Sequence, residues 1–145
     1  MEQQLPSLSS LGAQYVARSG MEDAISAGIC QGRPFGGVSI AWSPILNSVI
    51  KPLANFRNKR VVGIEATGET EKFIFICVYM PFYDASKREV CLNETIDTVS
   101  MIETIIDAHP LHSIVIGGDL NTELKNESPF DPFWREFLIK YDLIC

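Results

Sequence analysis

Histidine is scarce in this chain: two residues, His109 and His112, among 145. They flank Pro110 in an expected turn, and no cysteine lies near enough in sequence to complete a zinc set with them, so a metal role for the pair is not expected. The four cysteines, Cys30, Cys77, Cys91 and Cys145, form no C-x-x-C pair and follow no signal peptide. That usage argues against a disulfide framework and for a reducing compartment. No apolar run reaches the ~20 residues needed to cross a bilayer, so no membrane span is expected. Positive charge is also short. Twelve Lys and Arg against 18 Asp and Glu leave a formal net charge of -6, which gives no overall attraction to nucleic acid, so any phosphate-binding face has to be local. Residues 51–60 supply one, with Lys51, Arg57, Lys59 and Arg60 and no acidic residue. The competing reading of that segment is a solvated loop between two strands.

What is present is enough apolar residue for a core. At 46% hydrophobic and 21% charged, the chain fits one globular domain or part of one. Residues 1–31 are weakly patterned and read mostly as loop. From Gly36 the text becomes Gly-Gly-Val-Ser-Ile-Ala-Trp, a strand leaving a tight bend and stopped by Pro44. Arg60–Ala66 and Lys72–Tyr79 are two more strands, joined through Thr67-Gly68-Glu69-Thr70 as an antiparallel hairpin. In the second of them Phe73, Phe75, Cys77 and Tyr79 share one face and Ile74, Ile76 and Val78 the other, which predicts a central strand buried on both sides. Cys77 then reads as a small core residue.

Asp84-Ala85-Ser86 opens a helix with Val90, Ile96, Val99, Ile102 and Ile106 as its apolar set, ending before Pro110. Asp131-Pro132-Phe133 reads as an N-cap with proline at the first helical position of a second helix, 132–140. Between the helices, Ser113–Ile116 is a short strand that runs into Gly117-Gly118-Asp119-Leu120-Asn121-Thr122. The order strand, strand, strand, helix, strand, helix predicts a mixed α/β domain.

Ligands of α/β sheets collect at the carboxyl ends of strands, and glycines there allow close backbone approach. Extended-chain alternation sets Asp119 and Asn121 on one side and turns Leu120 toward the core. They are the first candidates for chemistry. The competing reading is an Asx-turn that does no more than satisfy backbone amides.

Three stretches, Gly-Arg-Pro-Phe-Gly-Gly-Val-Ser-Ile at 32–40, Val-Tyr-Met-Pro at 78–81 and Ile-Gly-Gly-Asp-Leu-Asn-Thr at 116–122, resemble in order and spacing the middle of an endonuclease/exonuclease/phosphatase domain. The first stretch and the doubled glycine before Asp119 look most like the endonuclease domain of non-LTR (LINE-type) retrotransposons. The resemblance covers residues 32–145, with 1–31 as its preceding variable segment, and implies a partial four-layer, DNase I-like α/β sandwich.

By that resemblance Asp119 orients or deprotonates the attacking water, Asn121 binds the scissile phosphate or positions that water, and Tyr79 contacts the phosphate. Composition alone reads Tyr79 as a core aromatic at a strand end. Lys59 and Arg60 are weaker candidates for the nucleic-acid backbone, and Arg33 belongs to the pattern without a derivable role. For the complete domain the family implies Mg²⁺, a DNA substrate, a linked reverse transcriptase and a nuclear parent element. The family's Gln-Glu strand with its metal-binding glutamate, and its Ser-Asp-His motif, find no match here. The expectation is therefore an interior piece of the domain, inactive as an isolated chain. The alternatives are another phosphoesterase of the superfamily, acting on inositol phosphate, sphingolipid or RNA, and a non-catalytic remnant.

Overall fold

The computed structural model describes residues 12, 14–18, 37–53, 59–121 and 130–144. Its elements are β1 (Gln14–Arg18), β2 (Val38–Trp42), β3 (Ile50–Pro52), β4 (Val61–Thr67), β5 (Lys72–Tyr79), α1 (Arg88–Asp107), β6 (Ser113–Asp119) and α2 (Asp131–Lys140). β1 and β2 pair antiparallel as a two-stranded sheet, while the other four strands lie in the order β3-β4-β5-β6. That larger sheet is mixed, with β5–β6 parallel and the other two pairs antiparallel. A parallel neighbour needs a crossover, and α1 is the crossover between β5 and β6.

β5 is the central strand that its sequence predicts, set between β4 and β6. Ile74, Ile76 and Val78 are buried against α1 and α2, in a cluster with Ile102, Ile105, Trp134 and Phe137. Each such side chain contributes about 2 kcal/mol of burial. On the opposite face Val62, Ile64, Cys77 and Tyr79 pack with Val38, Ile40 and Trp42 of β2. The described layers are thus helices, a four-stranded sheet and a two-stranded sheet. Burial on the second face is incomplete, because Phe75 and its register partner Val115 are 36% and 44% exposed.

Several local readings differ from expectation. The first is β1, which falls in the segment read as loop; its pairing with β2 is non-local, and nothing in its own pattern announces it. β3 falls in the basic segment, where Lys51 lies directly across from Glu65, an opposite-charge pairing that supports a short edge strand ending in proline.

The buried row of α1 is Cys91, Thr95, Thr98, Ile102, Ile105 and Ile106, while Val90 and Ile96 are exposed. Steps of four and three make that row a continuous helix face. The buried threonines sit there at little cost because Thr95 Oγ1 donates to the Cys91 carbonyl at 2.7 Å and Thr98 Oγ1 to that of Glu94 at 2.6 Å. Ahead of α1, Asp84 Oδ1 accepts from the Ser86 amide and caps a 3-10 turn, Ala85–Lys87, so the α-helix itself begins at Arg88 and not at the Asp84-Ala85-Ser86 expected to open it. In α2, Phe130 holds the cap position and Asp131 is the buried first helical residue, one place later than the N-cap reading assigned it.

Candidate functional site

The parallel pairing of β5 with β6 runs from Phe73↔Ser113 to Tyr79↔Asp119. Both strands therefore end together, and register partners in a sheet share a face, so Tyr79 and Asp119 stand side by side at the carboxyl ends of adjacent strands. The ladder continues one step further, with the Met80 amide donating to the Asp119 carbonyl at 2.8 Å. Sequence reasoning ended β6 at Ile116; in the structure it runs through both glycines to Asp119.

Gly118 explains why it does so. Its φ is +132°, and a Cβ there would lie 2.9 Å from the Val78 amide nitrogen and collide with the Val78 carbonyl oxygen. Only glycine lets β6 lie this close to β5 at that register. Gly117 has open space where its Cβ would be. The close backbone approach that the glycines were expected to allow is thus between two strands.

Beyond β6 the chain turns sharply. Asn121 has φ +45°, a conformation that asparagine adopts more readily than most residues. Its amide donates to Asp119 Oδ1 at 3.0 Å, and its Nδ2 donates to the Met80 carbonyl at 2.7 Å. This is the Asx-turn geometry of the competing reading, and it also fixes both polar side chains at the strand end. Asp119 is exposed and Asn121 half-buried, while Leu120 packs against the helix-side core as alternation predicted. An ionised carboxylate has two oxygens and an amide two N–H groups, so the turn engages only part of what each side chain offers.

Arg60, just ahead of β4, reaches into the same corner. Its guanidinium carbon lies 5.6 Å from the Tyr79 ring centroid, its Nη1 donates to the Tyr79 carbonyl at 3.4 Å, and its Nη2 pairs with Glu94 Oε2 of α1 at 2.7 Å. The Arg60 carbonyl in turn accepts from the Tyr79 amide at 2.9 Å. Lys59 is exposed beside it. Sequence reasoning named Arg60 and Tyr79 for separate reasons and missed Glu94, whose signal is three-dimensional. Arg33, Gly36, Arg57, Thr122, Cys30 and Cys145 lie outside the described residues.

The histidines sit at the other end of β6. His109 Nδ1 donates to the Ile105 carbonyl at 2.7 Å, and His112 Nε2 bonds Glu65 Oε1 at 3.2 Å. That bond, with lesser help from Lys72 and Lys51 and against a smaller effect of burial, holds the Glu65 carboxyl below its ordinary value. Cys77 and Cys91 are free thiols, and burial raises the Cys77 thiol.

Among the described residues no three His, Cys, Asp or Glu side chains converge on one point. Among the described residues Asp119 is the one carboxylate on the last residues of β5 and β6, and Mg²⁺ wants six oxygen ligands in near-octahedral array. The described residues do not by themselves make that site. No helix among them is long and apolar enough to cross a membrane.

No family model and no curated protein matches the chain. Among solved structures, the catalytic domain of human Nocturnin with a bound sulfate anion matches at TM-score 0.52 and 14% identity, over 88% of this chain and 49% of that one. The chain spans about half the length of that structure. Likeness at this identity is one of fold: the chain has a mixed α/β, DNase I-like fold.

Proposed function

We propose that this chain is part of a phosphodiesterase, and that the bond cut is in DNA: a retrotransposon endonuclease whose parent polyprotein carries a reverse transcriptase and works in the nucleus. The observation that carries this reading is the pairing of Tyr79 with Asp119 at the ends of adjacent parallel strands, with Asn121 tied back to Met80 beside them. A phenol and an amide are donors suited to charge developing on phosphoryl oxygens, and a carboxylate next to them can orient or deprotonate a water. The sulfate named with the Nocturnin structure is a tetrahedral oxyanion of phosphate shape. The retroelement-like run at 32–40 favours DNA over inositol phosphate, sphingolipid or RNA. Lys59 is the candidate contact to the nucleic-acid backbone.

Mg²⁺ is proposed for the complete domain, where carboxylates beyond Asp119 complete its shell. With no match to the family's metal-binding glutamate or its Ser-Asp-His motif, the 145-residue chain alone is expected to cut nothing, since losses at a cooperative site are large and not additive. A second reading draws on the Asx-turn: Asp119 and Asn121 are already used by the backbone, as a non-catalytic remnant would retain them.

Supercoiled-plasmid nicking tests both. The full-length parent protein is expected to nick in Mg²⁺, to stop on chelation, and to lose at least about 10³-fold on Asp119→Ala. Salt-dependent DNA binding without cleavage would establish the remnant. Cleavage of a phosphate ester other than DNA, in a substrate panel, would keep the chemistry and reject the DNA assignment. Nicking by the isolated chain, lost on Asp119→Ala, would overturn its expected inactivity.

A further inference from the structure

Three separate links run from Arg60 to Tyr79: the guanidinium over the ring, the Nη1 donation to the Tyr79 carbonyl, and the backbone bond from the Tyr79 amide. A fourth ties the far side of the same guanidinium to Glu94 on α1. The Arg60 side chain is only 22% exposed. An arginine that tracks a nucleic-acid backbone presents its donors to solvent, where phosphates arrive; here two donors of the planar fork are already directed to protein acceptors.

The ring faces constrain Tyr79 further. It is half-buried on the β2 side of the sheet, next to Cys77 and Val62. With the guanidinium at the ring and β2 below, the phenol has little rotamer freedom left. Its backbone is fixed between Arg60 on one side and the Asp119 strand on the other.

We infer that Arg60, braced by Glu94, is a positioning residue for the Tyr79 phenol and not itself a phosphate contact. The inference rests on the phosphodiesterase reading, and it adds two residues, Arg60 and Glu94, that hold the donor in place. Misplacing a reacting group by about 1 Å can cost about 10²-fold in rate, so a brace of this kind acts on kcat. A cation near an aromatic ring is attracted by the ring quadrupole, more strongly where it is partly desolvated, and so helps to hold the ring.

The test uses the full-length protein. Arg60→Met and Tyr79→Phe are each expected to lower kcat by about 10- to 100-fold with KM unchanged, and the double variant to fall no further than the worse single. The slope of log KM against log salt should stay as in wild type. A phosphate contact predicts the reverse pattern: KM rises, kcat holds, the slope falls by about 1, and the two substitutions multiply.

Glu94→Gln decides the sign without touching the ring. If Arg60 contacts phosphate, removing the competing carboxylate unmasks a cation and tightens DNA binding. If Arg60 positions Tyr79, Glu94→Gln lowers kcat and does not tighten binding. Should Arg60→Met fail to fold, Glu94→Gln and Arg60→Lys carry the test, Arg60→Lys keeping the cation over the ring and recovering part of kcat. Tighter DNA binding in Glu94→Gln, or additive losses, overturns the inference alone. A folded wild-type protein that hydrolyses no phosphodiester sinks the phosphodiesterase reading and takes the inference with it.

Discussion

Two adjacent glycines in this chain do different work. At Gly118 the positive φ and the Val78 carbonyl leave no room for a side chain, whereas Gly117 faces open space. Gly118→Ala has to strain its own backbone and push β5 from β6, and each of those costs on the order of 1–3 kcal/mol. Chemical denaturation should show a loss of about 3 kcal/mol for Gly118→Ala and less than about 1 kcal/mol for Gly117→Ala. Equal losses would mean that strand approach is not what the doublet serves. The same close approach aligns Tyr79 with Asp119, so the glycine acts on the candidate site through register.

Among the elements, β4 is tied to the turn before β6 by Glu65 and His112. Because the folded state holds the Glu65 carboxyl below its ordinary value, its contribution is fully present above the unfolded value. It is lost as pH falls through the glutamate range near ~4 and below. Wild type and Glu65→Gln should differ in melting temperature at pH 6 and converge by about pH 3. The gap should be small, less than about 1 kcal/mol, because the pair is partly solvated and screened. A gap that persists at pH 3 would assign the effect to packing.

How far the elements were legible follows from where their information resides. The alternation in β5 and the doublet at 117–118 are local signals, and so β5, the β4–β5 hairpin and the polar strand end were readable. The cues for β1 and β3 are their partners, and these lie across the sheet. On α1 the count of apolar residues misled, since Thr95 and Thr98 hide their hydroxyls in the helix's own carbonyls and pass as core. Asp119, Asn121 and Tyr79 were legible from the motifs, but the Asx-turn, the Met80 bond and the Glu94 brace depend on distances that no spacing encodes.

For the whole molecule the two faces of the four-stranded sheet are unequal. The helix side is closed by α1 and α2, with Ile74, Ile102 and Ile105 fully buried. On the other side β2 lies over β4 and β5, and among the described residues that coverage stops short of Val115 on β6, which stands exposed beside its β5 register partner Phe75. Among the described residues β6 is also hydrogen-bonded along one edge only. An exposed apolar face beside an open strand edge is an association hazard. The 145-residue chain should therefore self-associate with rising concentration in sedimentation velocity and bind a hydrophobic dye. Val115→Lys places a charge on that face without touching the helix-side core, and it should shift the distribution toward monomer. The Tyr79 and Asp119 corner lies on the same face, so association should also shield the candidate site. A chain that stays monomeric across the concentration range, with no dye binding and one sharp melting transition, would show that this face is covered in solution.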